Sequence, residues 1–357
     1  WQATFTCCGL ALATGLMVLP GAMKDSIDYL LGFQWNRSQR QDIALFMTEP
    51  SSGKGFHDLG HLPGVIHAEP IRSIPARLRH GHRERKIAVT GMTADSKLNR
   101  LFDASKQQVP IPRDGMVMSR KLAEVLELRP GDLVRVEVLE GKRPVVEIPL
   151  RALVTDYAGV AAYMDIDALR RVLGEGDTVN GAYLAVDHAR WDELMREVKD
   201  TPRAAFVLVR RDQMTAFRKT TAESIGIIRR VYFVLAVIVA FGVVYNSARI
   251  ALSERSRELA TLRVIGFRLS EVRGVLVGEL GILVLIALPF GLLFGHGVAL
   301  VIMKSFRTET VRLPLEIQPS TYAMAVLVVL LAAASSFAIV SRMLRQLDLV
   351  SVLKARD

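Results

Sequence analysis

The residues of this chain best placed to do chemistry are ionisable side chains at helical spacing between Ser253 and Gly266. Glu254 and Glu258 stand four residues apart, as do Leu259 and Arg263, while Ile250, Leu259, Leu262 and Ile265 recur at helical spacing. A helix built this way has one oily and one ionic face, suited either to docking on a protein or to lying on a membrane surface. Gly266 then ends the helix, and Leu269-Ser270-Glu271 restarts it with Ser270 as the expected N-cap.

Nothing in the chain assembles a catalytic frame. It has no nucleophile elbow, no His-Glu-x-x-His pair, and no Gly-x-x-x-x-Gly-Lys-[Ser/Thr] loop to cradle a nucleotide. ATP-driven work must therefore come from a partner. His57, Asp58, His61 and His67, or His80 and His82, could suggest a metal, but no cysteine or second carboxylate completes a recognised ligand spacing, so no metal is expected. Cys7 and Cys8 lie inside an apolar stretch and leave the polar part of the chain without a disulfide.

The elements that position these residues follow from where the apolar side chains clump. Hydrophobic residues make up 50% of the 357 residues. A span needs roughly 20 mostly apolar residues to cross about 30 Å of hydrocarbon. Four segments qualify: a first within 1–23, then about 231–253, 275–303 and 317–341. Residues 24–212 are too polar to enter lipid and long enough to fold by themselves. The expected fold is an α-helical membrane protein with four transmembrane helices and a large α+β extracytoplasmic domain inserted between the first and second. The remainder, 213–357, holds three spans and the helix at about 254–273. The net charge of +10 is shared between the polar domain and the rest, which fits loops beside anionic lipid and argues against nucleic acid.

Short loops rich in Lys and Arg favour the cytoplasm. The loop with Arg255, Arg257, Arg263, Arg268 and Arg273, and the tail with Arg342, Arg345, Lys354 and Arg356, outweigh the loop with Lys304, Arg307 and Arg312. The expected location is the cell inner (plasma) membrane, multi-pass, with a cytoplasmic C-terminus and the large domain outside. Arg229 and Arg230, just before the second span, pull the other way.

In the polar domain, alternation predicts strands at 42–47, 65–80, 85–91, 133–139, 145–155, 182–186 and 205–209, with helices at 119–128, 165–173 and 189–198. The charged run from Arg77 to Lys86 reads as a solvated hairpin turning at Gly81. A helix starting near Gln213 can run without proline past Gly266, a shaft from the outer domain to the cytoplasmic side. The third span carries Gly274-x-x-x-Gly278 and Gly291-x-x-x-Gly295, spacings that let helices approach closely in lipid, with Pro289 between them. Glu279 and His296 are ionisable groups inside this apolar segment and are functional candidates on that ground.

Asn246, Glu254-Arg255, Arg257-Glu258 and the run from Leu262 through Arg263 to Gly266, followed by a glycine-rich span carrying Glu279, resemble the MacB/FtsX-type permease subunits of ABC transporters. The stretch from Met116 to Val134 is similar to the helix-turn-strand segment of that family's periplasmic core domain. Phe267 departs from the small residue often found after the glycine. Trp1 leaves almost nothing before the first span, as in the C-terminal half of a longer permease carrying two such units.

The resemblance implies that Glu254, Arg255, Arg257, Glu258, Leu262, Arg263 and Gly266 form a coupling helix on a cytoplasmic ABC ATPase, with ATP and Mg bound there and no cofactor in this chain. The expected protein is a permease subunit, itself no enzyme, that exports or extracts a lipid, lipoprotein or amphipathic substrate. Expected partners are that ATPase, a second permease half or a second copy, membrane lipid, and a periplasmic protein or lipoprotein. The alternative is a mechanotransmission subunit regulating a cell-envelope hydrolase or sensor, and a third reading is an anchored receptor without an ATPase.

Overall fold

The computed structural model describes the chain apart from residues 158, 201–203, 255–257, 259–260, 263–264, 306–313 and 346–357. It divides into two compact units. Tyr29–Lys219 make up the body of one; Trp1–Asp28, Thr220–Phe306 and the C-terminal segment make up the other.

The polar unit is built on β1 (Ile43–Ser52), β2 (Val65–His80), β3 (Arg83–Met92), β4 (Met116–Ser119), β5 (Leu133–Val138), β6 (Val145–Val154), β7 (Ala162–Asp165), β8 (Thr178–Val186) and β9 (Ala204–Val209). Its helices are α2 (Gly53–Gly60), α3 (Arg120–Leu126), α4 (Ile166–Leu173) and α5 (Trp191–Asp200). The sheet order is β3-β7-β4-β6-β5-β2-β8-β1-β9, and β2 also pairs with β3. That extra pairing closes β2, β3, β7, β4, β6 and β5 into a barrel. β2 is long enough to serve two sheets. Ile71–His80 pair with β3, while the segment from Val65 to Ile71 pairs with β8.

Alternation in β5 sends Val134, Val136 and Val138 inward, where they pack with Ile74, Met116, Leu122 and Leu150. A second core lies beneath the extension, where Ile43, Leu45 and Leu184 meet Leu194 and Val198 of α5. At the β2–β3 hairpin Gly81 takes φ +57°, a conformation that suits a residue without a Cβ. α4 is capped at both ends. Asp165 accepts from the Asp167 and Ala168 N–H groups at 3.1 and 3.0 Å, and Gly174 closes the helix at φ +65°.

Two strands, one α-helix and a π-helical turn at Phe33–Ser38 were not anticipated. β4 and β7 are four-residue strands buried at every position, so neither shows alternation. α2 is short and glycine-containing.

The other unit consists of α1 (Gln2–Gly32, of which residues to Asp28 belong here), α6 (Arg210–Glu254, from Thr220 on), α7 (Leu269–Ser305) and α8 (Pro319–Arg345). All four are long and apolar enough to cross a membrane. Small and branched residues fill their shared core: Leu10 and Ala13 of α1, Ala240 and Val244 of α6, Val284 and Ala287 of α7, and Val329 and Ala332 of α8. α1 outlasts the expected span, which stopped at residue 23. Lys24, Asp25 and Asp28 end the apolar stretch but not the helix, because Ile27, Leu30 and Leu31 continue a buried face at helical spacing.

Candidate functional site

The segment joining α6 to α7 carries the predicted coupling residues. Glu254 ends α6; Glu258, Thr261 and Leu262 are helical; Arg255, Arg257 and Arg263 lie outside the described residues. Gly266 takes φ +107°, and the Phe267 N–H reaches back to the Leu262 carbonyl at 3.1 Å while the Ile265 N–H bonds Thr261 at 3.0 Å. A left-handed glycine followed by such a backward bond is how a helix closes when the chain must turn sharply. The turn holds two large apolar side chains in the open, Ile265 at 70% and Phe267 at 46% exposure. Glu254 and Glu258, earlier in the same segment, are exposed as well.

α7 begins at Leu269, one residue before the expected cap, so Ser270 lies inside the helix. The cap works from the other direction: the Arg268 N–H donates to the Glu271 carboxylate at 2.7 Å. A carboxylate in the first turn also suits the positive end of the helix.

The two glycine pairs of α7 have different surroundings. A Cβ on Gly291 would meet Thr14 Cβ at 2.5 Å and the Ala11 carbonyl at 2.9 Å, and one on Gly295 would meet Val18 Cβ at 2.8 Å and Gly15 Cα at 2.9 Å. α1 answers with Gly15, whose Cβ would meet Phe294 at 2.7 Å. The two backbones approach so closely only because three glycines face one another. A Cβ on Gly274 or Gly278 would meet nothing within 4 Å among the described residues.

His296 Nδ1 lies 2.7 Å from the Tyr322 hydroxyl, which joins α7 to α8, whereas Glu279 is exposed on α7. A further polar site was not singled out from the sequence. Asp25 of α1, 3% exposed, accepts the Thr321 hydroxyl at 2.7 Å and the Gln318 N–H at 2.9 Å. It therefore satisfies donors at the N-terminus of α8, which otherwise have no helical partner. Its only signal in the sequence is a carboxylate at the edge of a span.

In the polar unit, Arg72 on β2 is 1% exposed. Its Nε and Nη2 donate to Glu175 at 3.0 and 2.9 Å, and Nη2 also reaches Glu140 at 2.5 Å. Burial alone would lower the guanidinium, but hydrogen bonds to Glu175 and then the nearby Glu140 hold it above its ordinary value. The same bonds hold the Glu175 carboxyl below the usual carboxylate range. The histidines weighed as ligands are dispersed. His57 lies in α2 and His61 at its C-terminal cap, where His61 Nδ1 bonds the His57 carbonyl at 2.8 Å; His67 sits 3.2 Å from Glu69, and His80 Nδ1 lies 3.0 Å from the Leu126 carbonyl. Among the described residues no three metal-ligating groups converge.

Residues 230–349 match the model of the FtsX-like permease C-terminal family, a stretch that takes in most of the membrane unit. No curated protein matches the chain in sequence. Among solved structures, the chain is similar to the extracellular domain of a noncanonic ABC-type transporter, YknZ, from Gram-positive bacteria, at 14% identity and a TM-score of 0.32, over 48% of this chain and 99% of that one. It is also similar to the periplasmic region of MacB from Actinobacillus actinomycetemcomitans, at 11% identity and a TM-score of 0.33, over 51% and 94%. A domain of a putative permease protein from Porphyromonas gingivalis shares 13% identity at a TM-score of 0.29, over 45% and 84%.

Proposed function

We propose that this chain, a MacB/FtsX-type permease by the FtsX-like domain at residues 230–349, transmits ATP-driven motion of a separate cytoplasmic ABC ATPase to its large polar unit. The observation that carries the proposal is the turn at Gly266. It presents Ile265 and Phe267 in the open, in a segment that begins at the exposed Glu254, the last residue of the 45-residue α6, and also carries the exposed Glu258. Exposed apolar anchors rimmed by charge are the usual composition of a docking surface. Arg255, Arg257 and Arg263 complete the coupling helix in this reading. ATP and Mg belong to the partner, and this chain itself catalyses nothing.

The work done is export or extraction of a lipid, lipoprotein or amphipathic substrate at the outer face of the inner membrane, with the C-terminus in the cytoplasm. α7 and α8 support that reading: apart from Glu279 and the His296–Tyr322 pair, their spans offer little to line a polar channel. A second permease half, or a second copy of the chain, would complete the transporter. Gly274 and Gly278, open on α7, suit close approach of that second half.

The test is reconstitution with the ATPase in nanodiscs and measurement of ATP-dependent transfer of a fluorescent diacyl lipopeptide to an acceptor carrier. Transfer that needs ATP supports extraction. Absence of transfer, with ATP-dependent activation of an envelope hydrolase instead, would move the assignment to mechanotransmission.

A further inference from the structure

Within the membrane unit, α1, α6 and α8 enclose a cavity of about 330 Å³ lined by Met17, Lys24, Arg229, Arg230, Phe233 and Met324, with Gly21 and Thr321 at its wall. The chain leaves its first span at Lys24, enters the second after Arg230, and enters the last after Thr321, so the polar lining residues stand at one end of all three spans. One to two helical turns into each span, Met17, Phe233 and Met324 supply an apolar lining. At about 5.4 Å per turn this grades the cavity from cationic to oily over the depth of a headgroup and the first acyl carbons.

The charges do not cancel. Asp25 lines the cavity, but it is buried and its Oδ2 is committed to Gln318 and Thr321. Lys24 is paired with Asp28 at 2.8 Å. Arg230 uses its Nε on the Gly226 carbonyl at 3.3 Å, and among the described residues the Arg229 side chain has no hydrogen bond or ion pair. Two guanidiniums are thus left facing an amphiphilic cavity, and guanidiniums bind phosphate oxygens through paired donors.

We infer that this cavity is a binding site for the phosphate headgroup of an anionic phospholipid, with Arg229 and Arg230 on the phosphate and Met17, Phe233 and Met324 against the upper acyl chains. The site rests on the helices lying in a membrane and not on the coupling to an ATPase, so it stands or falls separately from the transport reading. It also accounts for two arginines placed where the charge balance of the loops opposes them: they serve a lipid rather than orientation.

The test is native mass spectrometry of the full chain in maltoside detergent, titrated with phosphatidylglycerol, phosphatidylcholine or inorganic phosphate. The expected result is saturable binding of phosphatidylglycerol that phosphatidylcholine does not displace and phosphate does not reproduce. Arg229→Gln with Arg230→Gln should weaken it on the order of tenfold, the doubly Lys-substituted variant, which keeps the charge but not the paired donors, should recover only part of that loss, and Lys304→Gln, a charge outside the cavity, should leave it unchanged. Equal binding of the two lipids to the unaltered chain would overturn the site. So would equal loss in Lys304→Gln, which would mean general surface charge, or saturation by phosphate alone, which would mean a soluble anion.

Discussion

Asp25 and Thr321 are joined by a 2.7 Å hydrogen bond, and the same carboxylate oxygen takes the Gln318 N–H. A side chain of the first span thereby caps the last. Asp25→Ala would remove the acceptor shared by the half-buried Thr321 hydroxyl and the Gln318 N–H, two hydrogen bonds to a charged group of which water can replace part, so the loss is about 1 kcal/mol or somewhat more. The full chain in detergent should show a lower unfolding temperature. Asn at the same position keeps an acceptor oxygen and should recover part of the loss; equal loss in both variants would mean that the charge, not the bond, matters.

The glycine pairs of α7 make a contrast that can be measured. Gly291→Val should clash with Thr14 and the Ala11 carbonyl, and overpacking of this kind costs roughly 1–3 kcal/mol. At Gly278 an added Cβ meets nothing within 4 Å among the described residues, so Gly278→Val should change the monomer's thermal stability far less. If both variants behaved alike, the close approach of α1 and α7 would not be what Gly291 provides.

Neither contrast is legible in the sequence. Both glycine pairs have the same spacing, and only the packing of α1 on α7 separates them. Asp25 looks like the polar end of a span until Thr321, almost three hundred residues away, is placed beside it. Local patterns fared better: alternation placed β2 at Val65–His80 with the observed bounds, and the helix expected from Gln213 past Gly266 is α6 as far as Glu254, the rest of that run falling partly outside the described residues. β4 and β7 escaped because strands buried on both faces carry no period. The cap of α7 was misassigned because Ser270 has the preferred residue type, while Glu271 closes the helix from inside.

Arg72 should be the polar unit's most sensitive charged position. Arg72→Ala leaves Glu140 and Glu175 without their cation, and because both carboxylates are partly exposed the loss is that of hydrogen bonds to charged groups, about 1.5–3 kcal/mol. Arg72→Met should be better tolerated if the carboxylates are removed with it, since a well-packed apolar group can replace a buried ion cluster. Urea unfolding followed by the unit's fluorescence would rank the variants.

The same cluster sets a pH dependence. Arg72's hydrogen bonds hold the Glu175 carboxyl below its unfolded value, so its contribution is fully present above the ordinary carboxylate range and is lost as pH falls through the depressed value. Glu175→Gln should flatten the acid limb of the stability curve while changing the neutral plateau in the destabilising direction. An unchanged acid limb would show that other carboxylates control it.

The central claim is coupling through the segment around Gly266. The decisive measurement is ATP hydrolysis by the partner ATPase, co-expressed with this chain and reconstituted in nanodiscs, comparing the unaltered chain with Glu258→Ala/Arg263→Ala and with Ile265→Asp/Phe267→Asp. Coupling predicts that both double variants still insert and fold, yet lose most of the stimulated hydrolysis, on the order of tenfold for the loss of docking contacts worth about 1.4 kcal/mol or more. Hydrolysis and co-purification left untouched by both variants would contradict the account and leave an anchored receptor in its place.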